Sequence, residues 1–451
     1  MSPPRTLRLA PRLASLASPS RPVGQSPPAG KSRSIRRALL LTGLLATLCA
    51  CLLAPAAASA ASESAALQAD LSHQLAIAGP ASGGYVYDLT AHQALFSERA
   101  ETLRPPASVE KLYTATTALE LMGPTARLST NVLGVGQLAP GGVWEGNLYL
   151  RGGGDPTFGS SSFIHAHYGG QGAAVSTLVT QLVRTDGIHR VTGSIEGDES
   201  YFDSLRGEPS SDYAPDPFLE GTLSGLAFNR GATGNERGPH APAAYAAHEL
   251  LGALKSDGVT VGGSSGAATT PAGATQLATA QSPTLNALLG LTLPPSDNFF
   301  AETLVKDLGA RFGAAGTTSA GAAVVQATIG KLFGFTPRVV DGSGLSETDR
   351  TSPYEVADLL VELAPTSIGA VLRSDLAVAG STGTLSERMR DTGAAGRCQG
   401  KTGTLTGVSN LVGYCQARDG HLLAFAWFTD GIATAFAHTI QDHMTISIAD
   451  Y

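Results

Sequence analysis

The sequence predicts an α+β fold, an antiparallel sheet flanked by helices, with a second and mostly-β region inserted into it. Three observations carry that expectation. Beyond about residue 282 helical periodicity dominates, and the chain then runs through three strand-like segments, GRCQGKTGTL, VSNLVGYCQARDG and HLLAFAWF. Residues 127–282 differ in character, being rich in Gly, Thr and Ser with short alternating strands such as NLYLRG and RVTGSIEG. At 451 residues the chain is also too long for one ordinary core.

Taken in order, residues 1–31 are rich in Pro, Ser and Arg and read as disordered. Residues 32–60 read as a secretory signal peptide: the basic SRSIRR, the apolar ALLLTGLLATLCACLLA, then Ala58-Ser59-Ala60, with cleavage expected after Ala60. An uncleaved membrane anchor is the alternative, because the apolar run nearly reaches spanning length. Glu63 to His73 has helical spacing, and GGYVYDL with ALFSERA reads as a strand pair. Pro105-Pro106 interrupts the chain, after which SVEKLYTATTALELM reads as a helix ended by Gly123-Pro124.

Within the middle region, VSTLVTQLVRTDG and AAYAAHELLGALKSDG are helical stretches closed by Gly187 and Gly258. Helical patterning resumes in NALLGLTLPPSDNFFAETLVKDLGARFG, again near 319–333 and 353–364, and finally in FAHTIQDHMTISIADY. Residues 61–126 and 283–451 are therefore expected to form one domain, with 127–282 inserted as one or more accessory domains.

The first 60 residues hold eight Lys or Arg and no Asp or Glu, so the overall net charge of −7 becomes −15 for the remainder. An acidic body with no basic stripe argues against a nucleic-acid partner. Oligomeric state is not legible. Cys49 and Cys51 lie in the signal segment, which leaves Cys398 and Cys415 nearly equidistant from the Thr406-Gly407 turn. In an exported protein such a pair suggests a disulfide across a hairpin, and two buried thiols are the alternative.

Ser108 and Lys111 lie three apart at a helix start, so their side chains share one face. A serine hydroxyl needs an adjacent base to become a nucleophile, and a lysine serves once burial or a neighbouring cation lowers its pKa. The helix N-terminus adds free N–H groups, and that of Ser108 is placed to hold a developing oxyanion. S-x-x-K alone is a weak signal. Lys401-Thr402-Gly403-Thr404, in a strand-like segment, strengthens it: a cation and hydroxyls can hold a substrate carboxylate, and Gly403 lets a ligand backbone approach. After residue 60 the chain has only five lysines (111, 255, 306, 331 and 401), and two of them fall in these motifs. Ser296-Asp297-Asn298 supplies a hydroxyl to relay a proton and an amide to bind a substrate amide. Ser129-Thr130-Asn131 matches the same short pattern, but Ser296 precedes a helix in the region that carries the other two motifs.

The order S-x-x-K, S-D-N, K-T-G is shared by penicillin-binding proteins and class A β-lactamases. The stretches PAS-x-x-K-L, RGGGDPT, SDNFFAETLVK, DGSGLS, GTL-x-x-R and KTGTLTGVSNLVGY resemble the class C low-molecular-mass penicillin-binding proteins, the D-alanyl-D-alanine carboxypeptidase/endopeptidase family, from about residue 65 to the end. That resemblance implies a β-lactamase/transpeptidase-like catalytic domain and an exported peptidase acting on peptidoglycan stem peptides, and acylated by β-lactam antibiotics. It further implies that Ser108 is acylated, that Lys111 is its base and that Ser296 relays the proton. Asn298 would position substrate, Lys401 and Thr402 would orient its carboxylate, and the N–H groups of Ser108 and Thr404 would form an oxyanion hole.

Two positions depart from the family pattern: Val109 replaces its usual Asn, and Glu347 a common Arg. Asp341-Gly342-Ser343-Gly344 reads as a cleft lining or a tight structural turn, and Asp155 as a substrate contact or a turn or inter-domain residue. No metal or cofactor is expected: His165-x-His167 and the His438/His443 pair lack a carboxylate at metal-site spacing, and the Gly-rich stretches complete no phosphate loop. A β-lactamase and a catalytically idle wall-binding protein are the competing readings.

Overall fold

The computed structural model describes residues 62–231 and 241–451, so the segments expected to be disordered (1–31) and to be a signal (32–60) lie outside it. Helix α1 (62–78) leads into a hairpin of β1 (Gly83–Asp88) and β2 (Gln93–Glu98). A 3-10 turn, Ala107–Glu110, opens directly into α2 (Lys111–Met122). Next come β3 (Ser129–Ala139), β4 (Val143–Arg151), α3 (Ser161–Tyr168), α4 (Val175–Thr180), β5 (Arg190–Val191) and β6 (Ile195–Asp198). Short 3-10 turns at Pro209–Ser211 and Phe228–Gly231 come next, and beyond them are α5 (Pro242–Ser256), β7 (Thr260–Val261), β8 (Ser265–Ala267) and β9 (Thr275–Gln281). Helices α6 (Leu285–Thr292), α7 (Asn298–Phe312), α8 (Thr318–Phe333), α9 (Pro353–Leu363) and α10 (Ser367–Ser374) precede the short β10 (Ala377–Val378). The chain closes with β11 (Cys398–Leu405), β12 (Val408–Gln416), β13 (Leu422–Asp430) and α11 (Thr434–Asp450).

Two sheets result, one of them antiparallel throughout. Its order is β10-β11-β12-β13-β1-β2, so the first hairpin of the chain docks against the last strand. Side-chain alternation sorts each strand between two cores. Val412, Tyr414, Ala424, Ala426 and Phe428 face the layer of α2, α7, α8 and α9. Leu411, Cys415, Leu423, Phe425 and Trp427 face α1 and α11 on the other side. That double burial explains why HLLAFAWF is apolar almost throughout. The second sheet is mixed, built wholly from residues 129–281, and the strands that alternation predicts there carry α4 and α5 as well, while α3 packs in a separate cluster with Phe299 and Phe300. Among the described residues no helix is long and apolar enough to cross a membrane.

Cys398 and Cys415 are register partners on β11 and β12 and form a disulfide. Closing a loop of this length restricts the unfolded chain by about 3 kcal/mol. The double variant Cys398→Ser/Cys415→Ser should therefore unfold at a lower temperature than wild type, read by thermal circular dichroism under non-reducing conditions.

Candidate active site

Ser108 lies in the 3-10 turn that opens α2, and the three-residue spacing brings Lys111 Nζ to 2.8 Å from Ser108 Oγ. The residue before the serine is strained: Ala107 has φ +48°, a left-handed conformation that a non-glycine residue rarely adopts. Three contacts hold it there. Asn410 Nδ2 on β12 donates to the carbonyls of Pro105 and Pro106 at 2.9 and 2.8 Å. Gly403 on β11 abuts the same turn, since a Cβ there would lie 2.5 Å from Pro106 O and 3.2 Å from Ser108 N. Gly344 does the same from the DGSG turn, where a Cβ would stand 1.9 Å from Ala107 O. Both glycines are thus required by close approach.

Lys111 is buried, with Nζ in hydrogen-bond contact with Ser108 Oγ (2.8 Å), Asn298 Oδ1 (2.6 Å) and Ser343 O (2.6 Å). Two of those three partners can only accept. A neutral amine has two N–H bonds and one lone pair. With both hydrogens donated to Asn298 and Ser343, the lone pair is left facing the serine hydroxyl, the geometry a general base needs. Burial lowers the pKa of Lys111 to about 7, against the opposing pull of Asp341, Glu302 and Glu110.

Those carboxyl groups form a buried cluster behind the lysine that motif reading did not reveal. Burial, reinforced by mutual repulsion, raises Glu110 well above the ordinary range, Glu302 to about 8 and Asp349 to about 11. Burial raises Asp341 as well, but its carboxylate accepts from the N–H groups of Ser343, Gly344 and Ser346 at 3.2, 2.6 and 2.6 Å, so it is the member best able to hold charge. Protonated carboxyls around a neutral lysine keep the buried cluster's net charge small.

On the opposite wall, Lys401 Nζ donates to Ser296 Oγ at 2.8 Å and to Thr402 O at 2.9 Å. Burial, then the neighbouring Lys111, pushes the Lys401 pKa well below its usual value. Ser296 has φ +67°, a second left-handed non-glycine residue in the site. Thr402 Oγ1 meets the exposed Thr384 Oγ1 of the GTL-x-x-R stretch at 2.8 Å, which adds a second hydroxyl to this wall. Thr404 is exposed two residues further along β11.

The Ser296–Asn298 segment is gripped by the middle of the chain. Asn298 Nδ2 donates to the carbonyl of Phe218 at 2.8 Å, which fixes the amide with Oδ1 toward Lys111. Asp297 caps α7 through Phe300 N at 3.0 Å and is ion-paired to Arg230. The Arg230 guanidinium in turn lies over the rings of Phe299 and Phe300, at 5.4 and 5.3 Å from their centroids. Neither Phe218 nor Arg230 had a sequence signal, because one acts through its backbone and the other across 67 residues of chain.

Asp341 holds a turn, and the same turn presents the Ser343 carbonyl to Lys111. Both readings of DGSG therefore apply. Asp155 is a turn former, accepting from Thr157 N and Oγ1 at 2.8 and 2.7 Å. Val109 is fully buried in the core, and Glu347 is exposed on the far part of its loop. Ser129-Thr130-Asn131 lies on β3 of the mixed sheet. Among the described residues no cluster of His, Cys, Asp or Glu has metal-site geometry.

A family model described as D-Ala-D-Ala carboxypeptidase 3 (S13) matches residues 64–216 and 222–451. The D-alanyl-D-alanine carboxypeptidase of Actinomadura sp. (strain R39) is 29% identical, covering 83% of this chain and 82% of its own. A carboxypeptidase of Mycobacterium tuberculosis is 30% identical over 77% of this chain and 76% of its own. Among solved structures, penicillin-binding protein 4 of Haemophilus influenzae superposes with a TM-score of 0.72 at 19% identity, covering 84% of this chain and 99% of that one.

Proposed function

The chain belongs to the D-Ala-D-Ala carboxypeptidase 3 (S13) family, and from that premise we propose that Ser108 is the residue its substrate acylates. It is a serine-type D-Ala-D-Ala carboxypeptidase, a penicillin-binding protein acting on peptidoglycan stem peptides. Lys111 takes the Ser108 proton as Oγ attacks the carbonyl of the penultimate D-Ala. The oxyanion is received by the N–H groups of Ser108 and Thr404. Ser296 passes a proton to the departing amine, D-Ala leaves, and water then hydrolyses the ester with Lys111 again as base. Asn298 holds the substrate amide, while Lys401 and Thr402 take the terminal carboxylate beside Gly403, whose lack of a side chain leaves room for the strand-like substrate backbone.

The observation that carries this reading is the three-way coordination of Lys111, which in a neutral amine leaves the lone pair for Ser108. We assign catalysis to 61–126 with 283–451, and an accessory role to 127–282, which the separate mixed sheet supports. The signal at 32–60 and cleavage after Ala60 fit a substrate that lies outside the cytoplasm. Cleavage of peptide cross-bridges by the same machinery would add endopeptidase activity.

The purified protein should release D-Ala from a defined pentapeptide, and prior penicillin should block the release while leaving a persistent adduct. Fast turnover of the penicillin would instead indicate a β-lactamase. Peptidoglycan binding with no D-Ala release would indicate an idle binder, and either result overturns the assignment.

A further inference from the structure

Both acceptors that orient Lys111 are governed by one helix. Asn298 opens α7 and contacts the lysine directly. One turn later on the same helix, Glu302 is fully buried, and its Oε1 accepts from Gly342 N and Ser343 N, each at 2.8 Å. The two peptide units so gripped immediately precede the one that contains the Ser343 carbonyl, which takes the second hydrogen of Lys111 at 2.6 Å. Thr114, on the helix that bears the lysine, ties down the adjacent carbonyl, with Oγ1 3.0 Å from Gly342 O. Asp341 closes the DGSG turn through the N–H groups of Ser343, Gly344 and Ser346, and the Gly342 N–H is left to Glu302.

A buried carboxyl is costly, and Glu302 Oε2 has no partner among the described residues. An apolar side chain of similar volume would leave the Gly342 N–H without an acceptor and the Ser343 N–H with only its 3.2 Å bond to Asp341. The four-residue offset between Asn298 and Glu302 fixes the distance between the two acceptors, much as an outer hydrogen bond fixes the orientation of a ligand residue.

We infer that Glu302 is a positioning residue for catalysis: through the backbone of Gly342 and Ser343 it sets the second acceptor of Lys111 and so aims the lone pair at Ser108. The inference rests on the proposed roles of Ser108 and Lys111.

The test uses the full chain and separates the binding constant of a fluorescent penicillin from its acylation rate constant by stopped flow. Glu302→Gln keeps an oxygen acceptor and should acylate within about threefold of wild type. Glu302→Leu keeps the bulk without the acceptor and should lose about 10- to 100-fold in the acylation rate constant, with binding unchanged. Glu302→Met replaces Glu302→Leu if the latter does not fold by circular dichroism, and is held to the same thresholds. The inference is overturned if the apolar variant acylates within threefold of wild type. It is equally overturned if the loss falls on binding, or if Glu302→Gln drops as far as the apolar variant. Wild type that does not acylate, or Ser108→Ala that does, would instead sink the assignment of the site itself.

Discussion

Ser108→Ala folds as wild type does and forms no covalent adduct with fluorescent penicillin, its D-Ala release falling by about ten-thousandfold or more. The size of the effect follows from the chemistry. Neither of the lysine's other two partners can replace the lost oxygen: they are the amide oxygen of Asn298 and the carbonyl of Ser343, and neither is a nucleophile. The methyl group of alanine leaves the turn undisturbed, because that turn is held through backbone carbonyls by Asn410 and through close approach by Gly403 and Gly344. Noncovalent binding of the peptide should therefore survive. Gel fluorescence, alongside a thermal melt matching wild type, reads the outcome. Labelling equal to wild type would remove Ser108 from the mechanism.

Lys111→Ala should slow acylation by about a thousandfold, within the range general-base catalysis contributes. The same lysine also governs the response to pH. An ordinary lysine would leave about one molecule in three thousand neutral at pH 7, whereas a pKa brought down to about 7 by burial leaves roughly half of them neutral. The neutral form is the active one, so lowering the pH through 7 protonates the base and the rate falls. The wild-type acylation rate constant, measured from about pH 5 to 9, should rise about tenfold per pH unit on the acid side and level off above 7. A plateau extending down to pH 5 would exclude Lys111 as the base. In the Ala variant the Asn298 amide and the Ser343 carbonyl lose a buried donor, so a lower melting temperature accompanies the kinetic loss.

The part of this site that could be read from the sequence is the part made of side chains with rare chemistry. Ser108, Lys111 and Lys401 stood out because lysines are scarce in this chain and their motifs are short and ordered. The Cys398–Cys415 pairing followed from symmetry about one turn. What could not be read is whatever acts through backbone or across long separations. The carbonyls of Phe218 and Ser343 carry no residue identity, so no motif records them. The carboxyl cluster was hidden for a different reason: Glu110 and Glu302 fall in helical segments where exposed acids are routine, and only tertiary packing buries them. The fold behaved similarly. Each strand of the closing meander was visible, but the pairing of β1 with β13 joins segments more than 300 residues apart, beyond the reach of local pattern.

That pairing has a consequence for how the protein matures. A chain synthesised amino-terminus first presents Ser108 long before Lys401 and β13 are made, and the first hairpin lacks the β13 edge it docks on until they are. The burial that lowers the pKa of Lys111 is made by the DGSG turn, α7 and the returning sheet together, so a chain lacking the last strands is expected to keep the lysine closer to its ordinary pKa. Activity is thus expected only once the last strands are in place. A carboxy-terminal truncation that removes β13 should abolish catalysis more thoroughly than its distance along the chain from Ser108 suggests.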